Sequence, residues 1–222
     1  MVTIPPRALL IDMDGTLIDT EPLIVAIMQE TTQALLGQAI EPAQARRYIG
    51  PPLGETMIHL AGGDVELGKQ MVTYYRGLYI QRHLDISLFD GIEQMVRDLQ
   101  AAGVRLAVAT SKPEDRALEL LQHLGIIDAF DHVCGAPPDD GPGSEKPMIV
   151  GRALDALGLK NSPDEVLMLG DRRFDVEGAA QWGVKTILAM WSHLADESEQ
   201  ALAWRLAFTP ASATAIVVGE QR

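Results

Sequence analysis

Two carboxylates spaced two residues apart, in Asp12-Met13-Asp14-Gly15-Thr16 directly after the apolar run Ala8-Leu9-Leu10-Ile11, carry the strongest chemical signal in this chain. Along an extended segment side chains alternate with a period of two, so Asp12 and Asp14 project to one side, and Gly15 lets the backbone turn sharply before Thr16. Such a pair suits a hard cation. One carboxylate beside Mg²⁺ can attack phosphorus while the second handles the proton, which points to phosphoryl transfer through an aspartyl-phosphate.

Three further groups stand at the ends of later apolar runs. In Leu106-Ala107-Val108-Ala109-Thr110-Ser111-Lys112-Pro113 the Thr110 hydroxyl, the Ser111 backbone amide and the helix expected behind Pro113 are donors for phosphoryl oxygens. Taken alone, the same residues read as a helix cap. Lys146, in Ser144-Glu145-Lys146-Pro147, is a compact cation able to neutralise both a nucleophile and a transferred phosphoryl group, whereas a lone lysine is most often solvated. Finally, Leu167-Met168-Leu169-Gly170-Asp171-Arg172-Arg173-Phe174-Asp175 ends in two aspartates. Asp171 is placed to complete a Mg²⁺ site with Asp12. Asp175 can support that site through water, pair with Lys146, or serve only as a helix N-terminal charge.

The elements that must position these residues alternate along the chain. Apolar strand candidates at 8–11, 105–109, 166–169 and 184–188 are separated by amphipathic helical stretches at 91–102, 114–124, 147–158 and 174–182. This predicts an α/β fold: a Rossmann-like parallel sheet core with helices on both faces and a ligand crevice at the carboxyl ends of the strands. The first long gap has helical patterns at Glu21 to Leu36, Pro42 to Tyr48 and Glu66 to His83 but no strand pattern. It is expected to be an inserted α-helical cap over residues 19–84, with the core formed by 1–18 and 85–222 and hinges near 18–21 and 84–90. Residues 139–145 read as an exposed loop, and Pro147 sits well in the first turn of a helix, which puts Lys146 at a helix start. In the tail, Glu197 to Leu206 looks helical and Ala215 to Val218 suggests an edge strand, with no chemistry expected there.

Composition narrows the partners. With 222 residues, 47% of them hydrophobic and 22% charged, the chain is long enough for a core plus an insertion and too apolar for disorder. A net charge of −13 disfavours nucleic acid or an anionic membrane as partner, so an anionic substrate must be captured locally by Mg²⁺, a few cations and helix N-termini. No run approaches the length of a membrane span, and a cytoplasmic protein is expected. Cys134, the single cysteine, reads as a buried structural thiol, and Trp182 and Trp191 read as packing residues.

The ordered set Asp-x-Asp, Thr, Lys, Gly-Asp-x-x-x-Asp resembles the haloacid dehalogenase superfamily of aspartate-based phosphotransferases over residues 7 to 190. The resemblance implies that Asp12 is the nucleophile and Asp14 the general acid and base. Thr110 and Lys146 become the phosphoryl ligands, and Asp171 a further metal carboxylate, with Asp14 reaching Mg²⁺ through its main-chain carbonyl. Asp14 argues against a dehalogenase, which transfers no proton to a phosphate leaving group. Schiff-base phosphonate chemistry wants a lysine in the cap, and the first lysine of the chain is Lys69. A receiver domain does not fit the motif order. Tyr48-Ile49-Gly50-Pro51-Pro52-Leu53 resembles the cap loop of the phosphoglycolate phosphatase-like branch, and it also reads as a simple helix breaker. The expected activity is therefore a Mg²⁺-dependent phosphatase for a small phosphorylated metabolite, 2-phosphoglycolate first. A β-phosphoglucomutase-type mutase, a nucleotidase- or pyrophosphatase-like hydrolase, and a phosphate-binding module without turnover are the alternatives.

Overall fold

Four consecutive fully buried apolar residues, Ala8–Ile11, form strand β1. Only a strand covered on both faces can hide every side chain of such a run. In the computed structural model, which describes residues 6–49, 53–137 and 142–219, β1 lies inside a six-stranded sheet with β4 (Arg105–Pro113) and β6 (Val166–Gly170) as its parallel neighbours. Beyond them lie β5 (His132–Ala136) on one side and β7 (Lys185–Ala189) with β8 (Arg205–Ala207) on the other, giving the order β5-β4-β1-β6-β7-β8 with every pairing parallel. Counted along the chain within this sheet, that is the doubly wound order 3-2-1-4-5-6. The order reverses between β1 and β6, and ligands of such sheets bind outside the carboxyl ends at that reversal.

Helices α5 (Ile92–Ala101), α6 (Glu114–His123), α7 (Lys146–Ala156) and α8 (Arg173–Ala180) follow successive strands. One core cluster joins alternate strand residues, Ala8, Leu10, Ala107, Ala109 and Met168, to Ile149, Val150, Ala153 and Leu154 of α7. Their opposite-facing neighbours Leu9, Ile11, Leu106, Val108 and Leu169 are buried as well, so the second face is also covered.

The chain divides into two compact units, Met1–Asp19 with Ser87–Arg222, and Thr20–Ile86. The second unit is helical: α1 (Glu21–Leu36), α2 (Pro42–Arg46), α3 (Leu53–Leu60) and α4 (Val65–Arg82). Leu23, Ile27, Met28, Met57, Met71 and Tyr75 form its own core. Gly68 lets α3 and α4 touch, since a Cβ there would lie 2.7 Å from Ile58 Cγ1. The unit's connections to the sheet begin with an antiparallel pair in the first unit, β2 (Ile18–Asp19) and β3 (Ser87–Leu88).

Several elements differ from expectation. Helix α3 was not among the elements expected from the sequence: Leu53, Met57, Ile58 and Leu60 have helical spacing, but the eight-residue stretch is shorter than the window over which such a period is read. The loop residues Gly50, Pro51 and Pro52 lie outside the described residues, as do 139–141 of the predicted loop before Lys146. Strand β4 continues past Ala109, where it was expected to end, through an irregular register to Pro113, the N-cap of α6. The tail is reversed. The helix that begins at Glu197 stops at Leu202 (α9), because the chain turns at Ala203 and Trp204 N bonds Thr186 O, adding β8 as the edge strand. Ala215 to Val218 belongs instead to helix α10 (Pro210–Val218), started by a reciprocal Thr209/Ser212 cap with Pro210 in its first turn. Among the described residues, no helix is long and apolar enough to cross a membrane.

Candidate active site

Asp12 is the first residue past β1. Its amide still donates to Leu169 O at 2.8 Å, which holds it on the ladder beside β6. The chain then winds tightly, with Met13 O accepting from the amides of Thr16, Leu17 and Ile18. Gly15 closes this turn at φ 77°, a conformation L side chains rarely adopt, and a Cβ there would run into the Asp171 carboxylate. Gly15 is thus required twice, for the turn and for clearance. Gly15→Ala is expected to cost about 1 kcal/mol or more from backbone strain alone, and to displace Asp171. Thermal melting together with calorimetric Mg²⁺ titration checks this, and a variant with unchanged Mg²⁺ affinity would contradict it.

On the neighbouring strand, β6 ends at Gly170 and Asp171 follows directly. A Cβ on Gly170 would collide with the carboxyl group of Asp175, which sits in the first turn of α8 and accepts from Arg172 N at 3.1 Å. Asp171 and Asp175 are 1% and 2% exposed. Oxygens of Asp12, Asp171 and Asp175 all lie within 4.8 Å of one another.

Lys146, the first residue of α7, points its ammonium into this cluster. Its Nζ lies 2.6 Å from Asp12 Oδ1, 2.7 Å from Asp175 Oδ1 and 2.9 Å from Ala109 O. The stem packs on α8 at Gly178, where a Cβ would be 2.7 Å from Lys146 Cγ. Trp182 Nε1 donates to Pro147 O at 2.7 Å, bracing the start of α7.

Three buried carboxylates therefore face one buried ammonium. Burial pushes the Asp12 carboxyl up to about 7, with Lys146 opposing and Asp175 reinforcing the rise. Asp171 is held well above the ordinary carboxylate range by burial, then by Asp175 and Asp12. For Lys146, burial favours the neutral amine, but the two carboxylates it touches outweigh burial and the net shift is upward. Asp171 Oδ1 is buried without a hydrogen-bond partner. An excess of buried negative charge, an unpartnered oxygen and an all-oxygen donor set together fit a hard divalent cation such as Mg²⁺.

This charge excess has a measurable consequence. A carboxyl whose folded pKa is raised contributes stability in its protonated form, complete below the unfolded value and lost as pH rises through the folded value. With chelator present, the melting temperature is expected to fall as pH climbs from the ordinary carboxylate range through about 7. Added Mg²⁺ should reverse the loss. A melting temperature flat across that window would count against the crowded-carboxylate description.

The remaining motif residues stand around this centre. The Asp14 carboxylate is outside the three-carboxylate cluster, more exposed, and 3.2 Å from Lys112 Nζ. Thr110 is buried one residue beyond Ala109, its Oγ1 accepting from Lys112 N at 3.2 Å, while the Ser111 side chain is exposed. Thr16 is fully buried behind Gly15. Sequence reasoning placed no chemistry after Ala189, yet three side chains of that segment touch the site. Trp191 Nε1 donates to Thr16 O at 3.0 Å, Ser192 hydrogen-bonds Asp171, and Glu199 accepts from Arg172 and Arg173. The legible signal was the Asp196-x-x-Glu199 spacing of a helix capping box.

Comparison with known proteins agrees with this architecture. The tyrosine-protein kinase PtkA of Mycobacterium tuberculosis is 37% identical over 189 residues, covering 85% of this chain and 63% of that protein. The chain thus spans about 63% of the length of its mycobacterial relatives. The solved PtkA structure superposes with a TM-score of 0.78 at 33% identity, over 98% of this chain and 100% of that one. A 5'-nucleotidase of Pseudomonas aeruginosa is 33% identical over 185 residues, 81% of this chain and 80% of that protein. Pyrophosphatase PpaX of Halalkalibacterium halodurans is 32% identical over 182 residues, 81% of each. The family model described as haloacid dehalogenase-like hydrolase matches residues 9–189, and the chain belongs to that family.

Proposed function

We propose that the protein is a Mg²⁺-dependent phosphatase acting in the cytoplasm on a small phosphate monoester through an aspartyl-phosphate on Asp12, with 2-phosphoglycolate the first candidate substrate. One observation carries the reading: Asp12, Asp171 and Asp175 converge within 4.8 Å at the carboxyl ends of β1 and β6, with the Lys146 ammonium paired to Asp12 and Asp175. Asp12, Asp171 and Asp175, with the backbone near Asp14, would hold the metal, which when bound offsets charge on the nucleophile and the phosphoryl oxygens. Lys146 opposes protonation of Asp12 and meets a phosphoryl oxygen, and Thr110 and the Ser111 amide supply neutral donors. An Asp12 oxygen attacks phosphorus in line as the bond to the leaving oxygen breaks, and Asp14 protonates that oxygen. Asp14 then removes a proton from water, which attacks the phospho-aspartate, releases phosphate and restores the Asp12 carboxylate.

The test is phosphate release from a panel holding 2-phosphoglycolate, nucleoside monophosphates, pyrophosphate and hexose phosphates, with Mg²⁺ and with chelator. A strong Mg²⁺-dependent preference supports the reading and names the substrate. An isomeric sugar phosphate in place of phosphate would make the protein a mutase, and binding without product a non-catalytic module. The 37% identity to PtkA supports a second reading, in which a protein tyrosine hydroxyl accepts the phosphoryl group. Incubation with γ-labelled ATP separates the two, since label retained on tyrosine favours transfer and label released as phosphate favours hydrolysis.

A further inference from the structure

We infer that Glu199 is a positioning residue for the candidate metal site, pinning the loop between Asp171 and Asp175 from the tail of the chain. The inference rests on the metal reading of the proposed function. Glu199 lies on the short helix α9 and is 4% exposed, although Glu197 and Ser198 beside it are exposed. A carboxylate so buried is seldom found unless its charge is met. Here it is. Oε1 accepts from Arg172 Nε at 3.1 Å and from Arg173 N at 2.9 Å, and Oε2 accepts from Asp196 N at 3.1 Å.

Two of these bonds reach Arg172 and Arg173, which lie between the clustered aspartates Asp171 and Asp175. Arg173 N opens α8 and has no intrahelical acceptor, so Glu199 satisfies it from outside the helix. The preceding amide, Arg172 N, donates to Asp175 Oδ2. The peptide nitrogens flanking Arg172 are therefore held by two carboxylates, one inside the candidate site and one outside it. Burial acts to raise the Glu199 carboxyl, and the Arg173 and Asp196 amides with the Arg172 guanidinium bring it below its ordinary value. The ionised form is the one the loop is built around. The same tail segment sends Ser192 to Asp171, through a turn in which His193 takes φ 59°. Groups that orient metal ligands from behind typically govern affinity about 10–100-fold without touching the ion.

The experiment measures Mg²⁺ binding to the full chain by calorimetry, and Mn²⁺ binding by electron paramagnetic resonance, for wild type, Glu199→Ala, Glu199→Gln and the exposed control Glu197→Gln. Melting with chelator reports folding separately. Glu199→Ala is expected to bind Mg²⁺ about 10–100-fold more weakly. Glu199→Gln, which keeps one acceptor oxygen without the charge, should fall between, and Glu197→Gln should match wild type. If Glu199→Ala fails to fold, Glu199→Gln decides. Lower melting temperatures with unchanged metal affinity would reduce Glu199 to a structural anchor and overturn the inference. Wild type that binds neither metal would overturn the metal reading itself and this inference with it.

Discussion

Asp12→Asn is expected to abolish phosphate release, lowering turnover by at least about a thousandfold, while the protein stays folded. The loss is expected because asparagine is no nucleophile towards phosphorus and nothing nearby replaces it. Asp171 and Asp175 are almost wholly buried, Asp175 against Lys146, and the Asp14 carboxylate is engaged with Lys112. Folding should not suffer. The ionised Asp12 carboxyl is disfavoured by its burial, so a neutral amide of the same shape relieves crowding with Asp171 and Asp175 while Lys146 keeps Asp175 as partner. In chelator at pH 8 the variant should melt no lower than wild type. Near-normal turnover in Asp12→Asn would dismiss the covalent mechanism, whatever the melting temperature.

Lys146→Met is the second large effect and runs the other way on stability. Methionine keeps an unbranched stem to lie against Gly178, so the change is chiefly one of charge. Removing the ammonium leaves Asp12, Asp171 and Asp175 with no buried counter-charge, a class of change that costs about 3–5 kcal/mol. Proton uptake by Asp12 holds the expected loss in chelator near the lower end. Mg²⁺ should restore part of it, because the cation answers the same carboxylates. Activity should not recover, since an Asp12 without its 2.6 Å partner is a poorer nucleophile and one phosphoryl ligand is gone. A chelator-treated variant as stable as wild type would mean the carboxylates are not crowded. Denaturant unfolding with and without Mg²⁺ measures both quantities.

What could be read from the chain alone follows from local rules. A four-residue apolar run ending in Asp-x-Asp-Gly states a strand, a turn and a pair of carboxylates, because strand period and glycine conformation are properties of adjacent residues. The alternation of short apolar runs with amphipathic stretches likewise implies a parallel sheet, and helix α1 was legible to its ends. The motif residues Asp12, Thr110, Lys146 and Asp171 each stood out by type and position relative to a strand end.

Distances between those strand ends belong to tertiary structure. Placing β6 beside β1 is what brings Asp171 against Asp12, and only the packing of α7 on α8 at Gly178 sends Lys146 between Asp12 and Asp175. Asp175, which the sequence left with three readings, proves to lie within the carboxylate cluster and against Lys146. The roles of the tail were hidden for the same reason. Trp191 and Glu199 act on residues 175 and 27 positions away, Thr16 and Arg172, and no local pattern encodes a contact over such separations. Even the tail's secondary structure was decided from afar, since Trp204 leaves a helical stretch to pair with Thr186 at the sheet edge. Sequence determined which chemical groups stand at strand ends, because that is local. Tertiary structure decided which of them share one buried site, because strand order and helix packing bring together residues the chain keeps apart.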